Sequence, residues 1–109
     1  MGITRIDLFD GRTNELAEMA KVLGHPARIR ILQILLDTDS CITGDLVEDL
    51  GLAQPTVSQH LKALKESGLI RGDIDGTKVC YCIDTDRWKV LQKVLGDFIF
   101  SPSIDKKCC

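Results

Sequence analysis

The residues of this chain best equipped for chemistry are its five cysteines, and they fall in three places: Cys41, the pair Cys80 and Cys82, and the adjacent Cys108 and Cys109. A thiolate is a soft ligand. It selects soft ions such as Cu(I) and Zn(II), and by the same logic As(III) or Sb(III). Trivalent arsenic takes two or three sulfurs in a pyramid, whereas zinc prefers four ligands and often includes histidine. The only histidines are His25, at a helix start, and His60, within a helix. Both suit structural or surface roles better than ligation, so thiol-only chemistry remains. Cys80 and Cys82 stand two apart in a strand-like run, which points both thiols to one face. From there they can pinch one soft ion, or they can pack the apolar Val79–Ile83 stretch as small hydrophobic residues. Cys108 and Cys109 follow Lys106 and Lys107, whose charges favour thiolate. Neighbouring cysteines make a strained disulfide but a good two-sulfur clamp. A third sulfur can come from Cys41, Cys80 or Cys82, on the same chain or on a second copy.

A second group of residues is suited to hydrogen bonding rather than ligation. Gln54, Thr56, Ser58, Gln59, His60 and Lys62 lie close together in the stretch from Gln54 to Ile70. Pro55 sits where a first helical turn begins and a missing N–H costs nothing. Val57, Leu61 and Leu64 recur at four and three residues and give one apolar face. Gln59, Lys62 and Glu66 take the opposite side, flanked by Thr56 and Ser58, and Gly68 stops the helix.

The elements around this helix explain what holds it. Thr43 to Leu50 reads as a shorter helix, with Thr43 as N-cap and Asp45 and Glu48 near its positive end. Gly51 breaks it, and Leu52-Ala53-Gln54 is a tight connection. Two helices joined by a short glycine-containing turn form a helix-turn-helix. Leu69–Ile74 and Lys78–Ile83 around Asp75-Gly76 form a β-hairpin, a wing directly after the second helix. In such a unit the second helix enters the major groove. Gln54, Thr56, Ser58, Gln59 and His60 then contact base edges or adjacent phosphates, and Lys62, Arg71 and Lys78 contact the backbone.

The remaining segments supply the core. Thr13–Leu23 is helical, with Leu16, Met19, Ala20 and Leu23 on one face, and Gly24 ends it. His25-Pro26 opens a helix whose Ile29, Leu32, Ile34, Leu35 and Leu36 imply burial. Asp84-Thr85 caps a last helix to Phe100, in which Trp88, Leu91, Leu95 and Phe98 form a stripe widened by Val90, Val94 and Ile99. That is more apolar surface than a terminal helix owes to one small core, and a partner is its natural outlet. The alternative is that the stripe only covers the wing and core. Residues 1–109 are expected to form one domain, with a short N-terminal lead-in and a cysteine-containing tail from about 101 to 109.

Composition narrows the function classes. The chain has 109 residues, 44% of them hydrophobic, and a formal net charge of -2. It carries no apolar run able to span a bilayer and no signal-peptide pattern, so a cytoplasmic protein with reduced thiols is expected. Its pI of about 5.6 is low for a DNA-binding domain. A local cluster of Lys62, Lys65, Arg71 and Lys78, diluted by Glu66, Asp73 and Asp75, predicts modest and strongly salt-dependent affinity. Neither a phosphate-binding glycine loop nor a Ser/His/acid arrangement is present, so no catalytic residues and no organic cofactor are expected.

Gly24-His25-Pro26-Ala27-Arg28-Ile29-Arg30-Ile31-Leu32, Ala53-Gln54-Pro55-Thr56-Val57-Ser58-Gln59-His60-Leu61, Gly68-Leu69-Ile70 and the wing from Gly76 to Tyr81 together resemble the ArsR/SmtB family of metal- and metalloid-responsive repressors. The resemblance covers roughly residues 13–100. It implies a mainly α, homodimeric winged helix-turn-helix repressor that leaves a palindromic operator when As(III) or Sb(III) binds. It also implies a dimer interface on the first and last helices, carried by Leu16, Met19, Trp88, Leu91, Leu95 and Phe98. Arsenic-responsive members often carry a Cys-x-Cys pair near the position of Cys41. Here the second cysteine is Thr43, so the simplest version of that site is absent. Some such members have a vicinal pair near the C-terminus, which Cys108 and Cys109 resemble. Two other readings stay open. One is a redox or persulfide sensor of the same fold, although members of that type carry a cysteine where this chain has Gln33 and Ile34. The other is a winged-helix protein-interaction module that binds no DNA.

Overall fold

Among the described residues, helix periodicity and strand alternation translate into four full helices and one hairpin. The computed structural model describes residues 8–37, 49–75 and 78–100, with the backbone alone for residues 73–75, 78 and 79. The elements are α1 (Gly11–Leu23), α2 (Pro26–Leu36), α3 (Gln54–Glu66), β1 (Ile70–Asp75), β2 (Lys78–Ile83) and α4 (Thr85–Phe100). Asp49 and Leu50 are helical and lead into the turn at Gly51. The rest of the helix expected over residues 43–50, its Thr43 cap included, lies outside the described residues.

Helices α1, α2 and α4 begin where a side chain satisfies a first-turn N–H group. Asp10 Oδ1 accepts from Thr13 N at 2.7 Å, so α1 starts two residues before the Thr13 boundary expected from sequence. That hydrogen bond from the Thr13 backbone is also the main reason the Asp10 carboxyl is held below its ordinary pKa. His25 caps α2, its Nδ1 accepting from Ala27 N at 3.0 Å, and Pro26 takes the first helical position. Asp84 Oδ1 accepts from Arg87 N at 3.0 Å at the start of α4.

The end of α3 is equally specific. Gly68 has φ +85°, a conformation that costs glycine little. Gly68 N donates to Lys65 O at 3.0 Å and Leu69 N to Leu64 O at 3.2 Å. These two bonds form a Schellman cap, completed by an apolar pair across it. Leu64 and Leu69 are both buried. Asp84 N then donates to Leu69 O at 2.9 Å, which ties the base of the hairpin to the end of α3.

One core serves all these elements. Met19 of α1, Ile31, Leu32 and Leu35 of α2, Val57, Leu61 and Leu64 of α3, Tyr81 of β2 and Leu91 of α4 are buried in a single cluster. The expectation that α2 is buried throughout is corrected: Ile29 and Leu36 are 38% and 46% exposed. Only the Ile31, Leu32 and Leu35 face turns inward, because an 11-residue helix on the flank of one core has a single apolar stripe to bury.

β1 and β2 pair antiparallel, with Ile70 opposite Ile83, Arg71 opposite Cys82, Gly72 opposite Tyr81 and Asp73 opposite Cys80. Side chains alternate between faces. Ile70 and Tyr81 therefore turn to the core, where both are buried. Gly72 makes room for this: a Cβ there would collide with the Cys80 carbonyl oxygen and the Tyr81 ring. Burial in turn pushes the Tyr81 phenol above its ordinary pKa.

Candidate nucleic-acid interface

Helix α3 has a dry face and a wet face. Val57, His60, Leu61 and Leu64 are buried, while Gln54, Ser58, Gln59 and Lys62 are exposed and Thr56 is half-buried at the boundary. Gln59 and Lys62 stand one turn apart near the centre of the wet face. The first turn holds no acidic residue and no side-chain cap. The positive end of the helix dipole is thus left for an external anion such as a phosphate. Gly51, with φ +68°, takes in the turn ahead of α3 a left-handed conformation that costs glycine little.

Of the residues expected to touch DNA, His60 is corrected. It is only 8% exposed, and its ring belongs to the seam between α2 and α3. Arg28 Nε donates to His60 Nδ1 at 3.3 Å, and Arg28 Nη1 donates to Val22 O at 3.3 Å. The His25 and His60 rings lie 4.2 Å apart, tilted by 45°. Each Nδ1 accepts a hydrogen bond, from Ala27 N in one ring and Arg28 Nε in the other, which orients both imidazoles. Burial, the neighbouring His25 and the Arg28 charge hold His60 below its ordinary pKa. Sequence reasoning gave this histidine a surface role and gave Arg28 none. Together with His25 they clamp α3 against α2.

The wing adds charge beside α3. Arg71 projects from β1 with its side chain 67% exposed, and its Nε lies 3.4 Å from Asp84 Oδ2. The side chain of Lys78 lies outside the described residues. Cys80 and Cys82 are half-buried and reduced. They share the hairpin face of Arg71, opposite the face on which Tyr81 is buried. Neither belongs to the buried core cluster. Cys41, Cys108 and Cys109 lie outside the described residues. Among the described residues no three or more His, Cys, Asp or Glu side chains gather as a metal cluster.

The residues assigned to a dimer interface separate into three sets. Met19 and Leu91 are buried in the chain's own core, and Leu16, Trp88 and Leu95 are half-buried. Phe98 is 62% exposed. The expectation for Met19 and Leu91 is thus corrected, since one chain already consumes them. The exposed apolar surface lies instead on Val90, Phe98, Ile99 and Phe100, with Leu8 and Phe9 ahead of α1. An open groove of about 780 Å³ runs between α1 and α4, lined in part by Leu16, Val90, Val94 and Phe98. No helix among the described residues is long and apolar enough to cross a membrane.

A two-stranded wing behind an exposed, polar second helix defines a winged helix-turn-helix regulator. Comparison with known proteins agrees. Residues 25–71 match the family model described as bacterial regulatory protein, arsR family. The chain is 35% identical over 81 residues to the uncharacterized HTH-type transcriptional regulator MJ1325 of Methanocaldococcus jannaschii, covering 74% of this chain and 91% of that protein. The crystal structure of Mycobacterium tuberculosis Rv0081 superposes with a TM-score of 0.62 at 34% identity, over 85% of this chain and 97% of that one. The transcriptional repressor BigR of Xylella fastidiosa superposes with a TM-score of 0.62 at 31% identity, over 96% and 100% of the two chains. The protein belongs to the ArsR family of transcriptional regulators, a family of DNA-binding proteins rather than enzymes.

Proposed function

We propose that the chain is a homodimeric transcriptional repressor that binds a palindromic operator and is released by a thiol-binding inducer, As(III) or Sb(III). The observation that carries DNA binding is the wet face of α3. Gln59 and Lys62 are exposed at its centre, while Val57, His60, Leu61 and Leu64 anchor the opposite side. Gln54, Thr56, Ser58 and Gln59 read base edges or adjacent phosphates. Lys62 and Arg71 hold the backbone, and Lys78 extends this contact along the wing. Dimerisation follows from the operator: a chain with one recognition helix reads a two-fold site as a two-fold pair. The exposed apolar surface of α4 and the groove against α1 supply a place for the second copy.

The inducer reading rests on ligand chemistry. The soft ligands of the chain are its five cysteines, which in the reducing cytoplasm are thiols. The position of the wing thiols, on the outer face of the hairpin, favours a bound ion over core packing. Fluorescence anisotropy of the reduced protein on its upstream DNA tests the reading. Binding that As(III) or Sb(III) reverses, and that Zn(II), Cd(II) and peroxide leave intact, is the expected result. Release by peroxide alone would instead assign the thiols to redox sensing. Failure to bind DNA at low salt would favour a protein-interaction module.

A further inference from the structure

We propose that Cys80 and Cys82 form a two-sulfur site for a trivalent arsenic or antimony hydroxide on the outer face of the wing, and that filling it takes Arg71 away from DNA. The proposal rests on the repressor reading and specifies which thiols sense and how.

The hairpin register carries the geometry. Cys80 and Cys82 alternate with Tyr81, whose ring is buried. Both thiols therefore leave the opposite face, on adjacent outward positions of one strand. Adjacent same-face positions of a strand lie about 6.5–7 Å apart, and their Cβ atoms are separated by a similar distance. A disulfide needs Cβ atoms only about 3.5–4.5 Å apart. The extended backbone thus opposes a direct S–S bond between these two cysteines. A bridging atom removes the conflict, because thiolate–metal bonds of about 2.3 Å on each side add the missing length. The pair is built for a bridged adduct rather than for oxidation.

The chemistry balances without an oxidant. As(OH)3 reacts with the two thiols to give (Cys–S)2As–OH and two molecules of water. Two As–OH bonds break and two As–S bonds form. Each leaving hydroxide takes a thiol proton, and arsenic stays trivalent. Two protein sulfurs with one retained hydroxide complete the arsenic pyramid. Zinc, by contrast, would need a four-ligand set.

The register also supplies the readout. Arg71 is the cross-strand partner of Cys82, on the same outward face. Its guanidinium also pairs with Asp84, which caps α4. An arsenic hydroxide on Cys80 and Cys82 occupies the surface beside Arg71, where the wing approaches phosphate. This loss of a phosphate contact needs no movement of the core.

Full-length variants separate the site from the function. The variant Cys41→Ser/Cys108→Ser/Cys109→Ser keeps only the wing pair. Titrated with arsenite, and with phenylarsine oxide as a dithiol probe, it should take up one arsenic per chain by native mass spectrometry. In anisotropy it should lose DNA at the same concentrations. Returning either wing cysteine alone to serine should weaken uptake by roughly 100-fold, as expected when a chelate becomes a single-point contact. The complementary variant Cys80→Ser/Cys82→Ser should bind DNA normally and stay bound when arsenite is added. Circular dichroism confirms that each variant folds.

No arsenic on the wing-only variant would overturn the site. Arsenic uptake with unchanged DNA affinity would overturn the coupling through Arg71. A diamide-induced loss of two hydrogens within the wing-only monomer would overturn the bridging geometry. Failure of every variant to bind DNA before arsenite is added would defeat the repressor reading instead, and the mass count would still decide the site.

Discussion

At the scale of single residues, exposure separates reading from support. Gln59 stands exposed on α3, where an amide can serve as both donor and acceptor to a base edge. Gln59→Ala should weaken operator binding by about 1–3 kcal/mol and relax preference at one base position, measured by anisotropy on operator variants. Lys62→Ala should weaken all sequences alike and lower the slope of log affinity against log salt by about 1. His60 behaves differently. Its folded pKa lies below the ordinary 6.5. As pH falls through 6.5 the unfolded chain takes a proton before the folded one does. Folding stability from His60 is therefore fully present above that value and is lost on acidification. Thermal unfolding should show a steeper decline from neutral pH to about pH 5 in the native chain than in His60→Gln, whose amide can still accept from Arg28 without titrating. The position of His60 was legible in the sequence: it sits three residues after Val57 and four before Leu64, on the apolar face. Its residue type pointed the other way, and the partner that accounts for its burial, Arg28, lies 32 residues away, beyond the reach of local pattern.

At the scale of elements, the sequence carries the helices and the hairpin because caps and breakers are local. Pro26, Pro55, Gly51 and Gly68 mark helix starts and stops through backbone constraints that need no tertiary context. The choice between faces was harder. Cys80 and Cys82 sit in an apolar run, where hydrophobicity alone cannot separate core from surface. The pairing of Gly72 with Tyr81 decides it, since the glycine opens the core side for the ring. Gly72→Ala should destabilise the protein by about 1–3 kcal/mol, as overpacking does. The added methyl meets the Cys80 carbonyl and the Tyr81 ring, neither of which can yield cheaply. Chemical denaturation should show a lower midpoint with an unchanged slope. A variant as stable as the native chain would mean that the hairpin can shift to admit a side chain. Because the wing cysteines belong to the same strand, arsenite uptake should fall with the hairpin's order in this variant.

For the whole molecule, the last helix shows how one apolar stripe serves two surfaces. Sequence periodicity groups Trp88, Leu91, Leu95 and Phe98 together, and it cannot say where the chain's own core stops. Packing draws that line: Leu91 is 4% exposed, Phe98 62% and Phe100 84%. Apolar side chains left this open mark an interaction surface, and Leu8 and Phe9 ahead of α1 add to the exposed apolar residues. If a second copy covers the face, charges placed there should separate the copies without harming the core. Phe98→Lys/Ile99→Lys should therefore keep its helical circular dichroism while sedimenting as a monomer. Its affinity for a two-half-site operator should drop towards that for a single half-site, because the second recognition helix no longer binds as part of one molecule. Arsenic uptake at Cys80 and Cys82 should persist in this monomer, since both ligands belong to one strand of one chain. Loss of uptake on dissociation would place a ligand on the partner and move sensing from the wing to the interface.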